Sequence, residues 1–491
     1  MSERGGSKAL SAAAAALVAA CSVGPDYHRP AAPVPASYKE GWKTGEPQDI
    51  TDRGAWWAIY NDPLLDDLER QVDISNQNLK AAEAAYRQAR AVVAQARSGY
   101  FPVISVAASA TRSSQGGGGL TSTSGVTRFS RGVQTQYDLT ADATWSLDLW
   151  GRIRRTVEGD VANAQASAAD LASARLSAQA TLAIDYFDLR ANDELKRLLD
   201  AAVVAFTQSL QITRNQYAVG VAGQADVVTA ETQLETTRAQ SVAVGVQRAQ
   251  FEHAIAVLIG KPPAEFSIAA TPMPNNIPVA PTGVPSTLLE RRPDIAAAER
   301  LMAAANAQIG AVAAAYYPDL TLSASYGFTS TSLDKLLRAS NAFWSVAPQL
   351  TQTVFNGGLR GAQVDQARAV YDQNVATYRQ TVLTGFQQVE DQLAALRILA
   401  QQAEIEANAV RLAREAERLT LNQYRAGTVP YTAVITAQTQ ALNNEQTELT
   451  ILQNRLAASV SLIQALGGGW TATQLPTDAD VKARSPLDLL R

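Results

Sequence analysis

Apolar and polar side chains alternate with a period of two in four places along the chain. The clearest is YDLTADATWSLDL, where Tyr137, Leu139, Ala141, Ala143, Trp145 and Leu147 alternate with Asp138, Thr140, Asp142, Thr144, Ser146 and Asp148. Such a strand offers one lipid-compatible face and one wet face. DLTLSASYGF repeats the pattern with Leu320, Leu322, Ala324, Tyr326 and Phe328. FPVISVAASA from Phe101 and FWSVAPQLTQTVF from Phe343 are weaker partners, so two hairpins are expected, over 100–148 and 318–355. Periodicity alone would also fit two soluble, half-buried hairpins. The intervening SSQGGGGLTSTSG reads as an exposed loop rather than a phosphate cradle, because nothing around it sets a helix N-terminus on the glycines.

Elsewhere the spacing is helical. About 69 residues run from Gly151 to Gly220 without a proline and about 70 from Gly357 to Gly427, each roughly 100 Å as a helix. Within them Val157, Val161, Ala164, Ala168 and Leu171, and again Leu396, Ala400, Ala403, Ala407 and Val410, step by four and three. That is coiled-coil spacing with small residues at the seam. The chain also repeats itself. NQYAVGVAGQADVVTAETQLE from Asn215 matches NQYRAGTVPYTAVITAQTQAL from Asn422, and LKAAEAAYRQARAVVAQARSGYFP matches IAAAERLMAAANAQIGAVAAAYYP, with Glu83 against Glu299. Two copies of helix, hairpin, long helix, turn and a return helix of about 40 residues are expected. Gly220 and Gly427 then mark the tips of two antiparallel helical hairpins, where glycine can take the backbone angles that end a helix.

No segment is apolar for long enough to be a membrane-spanning helix, so any crossing must be made by strands of a closed barrel. Four strands cannot close one. Two copies would supply eight strands and leave an interior filled by side chains, whereas Asp, Thr and Ser on the polar faces suit a wet lumen; three copies with twelve strands fit better. A formal charge of −4 leaves no basic face for nucleic acid, and one Cys with two His excludes disulfides and Cys/His metal clusters. That Cys has its own explanation. Arg4 and Lys8, a short apolar run and Val18-Ala19-Ala20-Cys21 follow the order of a bacterial secretory signal ending in a lipobox, with Cys21 acylated. Ser22 stands where an inner-membrane retention pattern would place Asp, which directs the expectation to the outer membrane.

The repeat plan, GPDYHRP after Cys21, WWAIYNDPLL from Trp56, the YYP before the third strand and the spacing after each tip glycine together resemble the outer-membrane efflux proteins of the TolC and OprM type, in their NodT-like lipoprotein branch. The resemblance covers essentially the whole chain. It implies an α+β membrane protein: a homotrimer with a 12-stranded outer-membrane β-barrel, four strands per chain, continuous with a long periplasmic α-helical barrel and built from two internal repeats. It divides the chain into a signal peptide at 1–20, a lipid-anchored extended segment at 21–63, repeats at 64–266 and 285–467, a Pro-rich linker at 267–284 and a tail at 468–491. The linker and both chain ends would form an equatorial belt.

Such a protein is a passive exit duct, held in outer-membrane lipid and docked to a periplasmic membrane-fusion adaptor and an inner-membrane efflux pump of the RND type. The resemblance assigns adaptor docking to Gly220, Val221, Gly427 and Thr428. It assigns the periplasmic gate to Asp226, Thr432 and Thr436; many relatives carry Leu or Asp at the last two places, so no second carboxylate ring is expected. Asp226 reads equally as a helix-start residue favoured by the helix dipole. No cofactor or metal is expected.

Other classes fit less of the pattern. A duct for type I protein secretion would share the architecture. A periplasmic adaptor has one hairpin and compact β-domains, and a coiled-coil scaffold or adhesin leaves the Trp145 and Tyr326 strands unexplained. An enzyme would need a catalytic set, yet His28 and His253 lie in unlike contexts without partners.

Overall fold

The computed structural model describes residues 23–35, 37–39, 54–114, 133–278 and 288–482. The helices are α1 (Pro63–Ser75), α2 (Gln77–Ser98), α3 (Arg152–Ala218), α4 (Gln224–Leu258), the single turn α5 (Leu288–Arg291), α6 (Pro293–Ala313), α7 (Leu359–Arg425), α8 (Tyr431–Ala465) and the short α9 (Asp478–Lys482). The strands are β1 (Val103–Ser114), β2 (Val133–Leu147), β3 (Asp319–Ser330) and β4 (Ala342–Thr351). Both long helices have 67 residues and both return helices 35. The return helices fall short of the expected 40 chiefly because the turns after Gly220 and Gly427 delay their starts to Gln224 and Tyr431. At the start of α3 the Asp148 carboxylate accepts from the Ile153 and Arg154 amides at 2.9 and 2.8 Å, satisfying donors the helix cannot pair itself.

All four strands join one antiparallel sheet in the order β1-β2-β3-β4. The registers align the periods across it. Val106, Ala141, Tyr326 and Trp344 form one rung, and Ile104, Ala143, Ala324 and Val346 another, on a face that is apolar through all four strands. On the opposite face polar groups bond across strands: Asp138 accepts from Ser109 and Thr329, and Asp142 from Ser325. Every residue of β1 and β4 is exposed, as befits strands with one unpaired edge. β1 starts at Val103 rather than Phe101, because the Phe101 amide turns back to Ser98 and Pro102 has no donor to give.

The main core lies part-way along the long helices, away from the sheet. Trp56, Tyr60 and Leu65 pack there with Leu182, Phe187, Ile255, Met302, Val382 and Leu456. Extended segments bind across this girdle. Tyr27 donates to Glu299 (2.6 Å), Arg190 and Arg248 donate to the Ala269 and Ile268 carbonyls, and Gln165 donates to the Pro476 carbonyl. The N-terminal segment lies backbone against backbone on α6: a Cβ on Gly24 would stand 2.3 Å from the Gly310 Cα. Both Glu69 oxygens are buried in the girdle without a hydrogen-bond partner among the described residues.

The two repeats are not equally enclosed. α6 lies between α3 and α7 and is buried along most of its length, whereas α2 packs on α3 and α9 with only Leu79 and Val93 buried. Glu299 is accordingly buried beside Arg300, and its counterpart Glu83 is exposed. The seams differ from expectation as well. Val157, Val161 and Ala164 are buried, but of the second series only Leu396 is, and Ala407 faces outward. The reason is a cleft of about 670 Å³ on which Ala403 and Val410 open, with Leu198, Met273 and Leu452 on its other walls.

Candidate functional site

Each long helix ends in a glycine that reverses the chain. At the first tip Gly220 has φ 77°, its amide donates to the Tyr217 carbonyl, and the Val221 amide reaches the Gln216 carbonyl at 2.8 Å. At the second, Gly427 has φ 72°, its amide donates to the Tyr424 carbonyl, and both the amide and the hydroxyl of Thr428 donate to the Gln423 carbonyl. These bonds are the helix-terminating pattern that a left-handed residue allows. No atom comes within 4 Å of a Cβ built on either glycine, so both tips project into open space.

Asp226 starts α4. Its Oδ2 accepts from the Gly223 amide at 3.0 Å, so the carboxylate caps the helix. It also lies near Tyr424 and Tyr431, whose rings are 5.4 Å apart. Burial pushes the Tyr431 hydroxyl up to about 12, with Tyr424 and then Asp226 adding to the shift. Thr432 and Thr436 are exposed on one face of α8, and the Thr436 hydroxyl donates back to the Thr432 carbonyl. The second tip leans on the first: Gln216 Nε2 donates to the Tyr424 carbonyl, the Tyr424 hydroxyl to Thr213, and Gln438 Nε2 to Ser209. Phe206, Leu210, Leu234, Tyr431 and Val434 pack beneath them. The tip residues singled out in the sequence thus gather at one end of the molecule. Cys21 lies outside the described residues.

Two features of this end escaped the sequence reading. Tyr217, Val219 and Val221 are exposed around the first tip, at 48%, 74% and 66%. Along α7, Ile398, Ile405, Leu412 and Leu419 recur every seven residues, and all four are exposed, as are Val228, Val242 and Val246 on α4. The heptad was legible; its lack of a partner within the chain was not. In the first repeat, Leu198 and Ile212 hold the places of Ile405 and Leu419 and pack into the core below the tips, where α3 meets α8. Among the described residues the exposed faces of α7 and α4 thus have no counterpart to the contact that α3 makes with α8.

A sheet with one face apolar along most of its height, carried on rods of about 100 Å, defines a membrane protein that reaches far from its bilayer. The chain belongs to the outer membrane efflux protein family, whose profile matches residues 69–261 and 284–468. It is 31% identical over 470 residues to the toluene efflux pump outer membrane protein TtgF of Pseudomonas putida, covering 94% of this chain and 96% of that one. To the cation efflux system protein CusC of Escherichia coli O6:H1 it is 27% identical over 469 residues, 94% of this chain and 99% of that one. The solved outer-membrane channel OprN superposes with a TM-score of 0.84 at 29% identity, over 92% of this chain and 100% of that one.

Proposed function

We propose that three copies of this chain close into a single exit duct, a 12-stranded barrel in the outer membrane continuous with a helical barrel in the periplasm. Through it, cargo from an inner-membrane pump and a periplasmic adaptor leaves the cell passively. The observation that carries the proposal is the sheet: its apolar face requires lipid, and its two bare edges are forbidden there unless other copies pair with them. β1 runs away from the helices and β4 towards them, so β4 of one copy meets β1 of the next in the same antiparallel sense as the pairs within the chain. Asp138, Asp142, Ser325 and Thr329 on the other face favour a water-filled bore, which twelve strands can hold and eight cannot.

A lipid anchor on Cys21 is compatible with the same end of the molecule. The Val23 amide donates to the Trp150 carbonyl at the foot of the sheet. A lipid on Cys21, two residues upstream, would enter the near leaflet. Native mass spectrometry in mild detergent should give roughly three times 50 kDa, with acyl mass that is absent from Cys21→Ser. A folded monomer would overturn the closure, and unchanged acyl mass the anchor.

At the far end we assign Gly220, Val221, Gly427 and Thr428 to adaptor docking, and Asp226, Thr432 and Thr436 to the entrance. The space around both glycines supports a docking role. A Gly220→Glu, Gly427→Glu chain carries only the left-handed backbone penalty, about 1–2 kcal/mol per site, so it should assemble normally yet fail to export. Normal export by that variant would remove the docking role. The gate role predicts that Asp226→Asn weakens block of bilayer conductance by divalent cations, and unaltered block would leave Asp226 as a helix cap only.

A further inference from the structure

We propose that the outer rim of the barrel carries a cationic collar, built from Arg112, Lys335 and Arg338 together with Leu333 and Leu337, that docks a phosphate-bearing, polyacylated glycolipid of the outer leaflet at each junction between copies. The proposal rests on the ring closure argued above.

The β3–β4 connection, residues 331–341, caps the end of the sheet remote from the helices. It is braced. The Lys335, Leu336, Arg338 and Asn341 amides each donate to the carbonyl three residues back, and Asn341 Nδ2 donates to the Lys335 carbonyl at 2.7 Å. A loop held this firmly nevertheless leaves Leu333 and Leu337 at 65% and 68% exposure. The two leucines lie in the connection just beyond the rung of Phe328 and Ala342, where the apolar file of the sheet ends.

Among the described residues the charge on this rim is predominantly positive, with Arg112, Lys335 and Arg338 against the single acid Asp334. Lys335 and Arg338 are exposed, and neither has a carboxylate within ion-pair distance among the described residues. Asp334, the one acid of the connection, is occupied by the Ser332 hydroxyl at 2.7 Å. Arg112 is exposed on β1, in the same file as Ile104, Val106, Ala108 and Ala110, and therefore on the lipid side. It stands two residues beyond the rung that joins Ala110, Tyr137 and Ser330, level with the β3–β4 connection. Asp138 and Asp142 do not neutralise the collar, because they point to the other face. The inner rim differs: Asp148, Asp319, Arg152 and Arg360 share one cleft there.

Within a chain Arg112 lies at one edge of the sheet and the connection towards the other. Ring closure brings the two together, since β4 then lies beside the partner subunit's β1. Three cations around two leucines match a ligand with anionic phosphates above apolar chains. A guanidinium forks onto phosphate oxygens, and leucine is as apolar as the acyl chains it would touch. Phosphorylated glycolipid of the outer leaflet has that form.

The test is native mass spectrometry of the full-length protein titrated with bisphosphoryl lipid A or with its dephosphorylated form. The wild type is expected to retain the bisphosphoryl lipid at up to three copies per trimer, and the dephosphorylated lipid at least about tenfold more weakly. Arg112→Gln, Lys335→Gln, Arg338→Gln should lose that preference. The charge-conserving variant Arg112→Lys, Lys335→Arg, Arg338→Lys should keep it. Equal retention by the wild type and the glutamine variant, or no preference for phosphate, would overturn the collar. Copy number is read in the same spectrum, so failed closure appears as missing trimer, distinct from a trimer without lipid.

Discussion

Glutamate at both Ile405 and Leu412 is expected to abolish the trimer while leaving each chain folded. These side chains are 70% and 57% exposed, so a charge there disturbs nothing within the chain. In the ring they would meet the partner subunit's α4, as Leu198 and Ile212 already meet the second hairpin within one chain. Each aliphatic side chain removed from a contact forfeits about 1.5–3 kcal/mol, and two at each of three junctions amount to on the order of 10 kcal/mol per ring, before the cost of burying glutamate. Size-exclusion chromatography with circular dichroism should show monomer of unchanged helicity. A trimer of normal yield would mean that α7 faces solvent or some other protein. Glutamate at Leu199 is the control, because there the same change strikes the chain's own core and should lower its melting temperature.

The second large effect concerns Glu69. Burial, with Asp73 adding repulsion, raises its carboxyl to about 9, and among the described residues neither oxygen has a hydrogen-bond partner. In the unfolded chain the same group titrates near 4.5. The folded state thus binds the extra proton between these values, so the group's contribution is fully present below about 4.5 and is lost as pH rises towards 9. At pH 7 the loss is roughly 3 kcal/mol. Glu69→Gln keeps the shape without titrating. It should therefore raise the melting temperature at pH 7–8 and leave it unchanged near pH 4. A variant less stable than the wild type at pH 7–8 would show instead that Glu69 is ionised against a partner.

Much of this architecture was legible because its signals are local. Leu139 and Trp145 alternate with Asp138 and Asp142 at a period only a strand satisfies, and Gly220 and Gly427 occupy the same place in two matching sentences. What could not be read were relations between distant segments. The sequence aligns Glu83 with Glu299, yet one is exposed and the other buried, because α6 has α7 beside it and α2 does not. The series from Leu396 to Val410 has heptad-like spacing, but the Met273 segment keeps a cleft open beside it. Asp226 appeared as a gate candidate and a helix cap with equal force; the 3.0 Å bond to the Gly223 amide shows the capping role directly.

The unmatched flanks also govern how the ring can come into being. In the proposed ring each junction would be head-to-tail, joining the α7 and β4 side of one chain to the α4 and β1 side of the next. A pair of chains therefore makes one junction and leaves two flanks bare, whereas the third chain makes two junctions in a single step. Dimers gain least per chain and should be scarce at every concentration. Assembly would then respond to chain concentration more steeply than any pairwise association, with a narrow threshold between loose chains and finished rings. A junction bent by even a modest angle would not return on itself after three chains, and the same contacts would then propagate an open helix. The geometry that admits a duct is thus also what bars a filament.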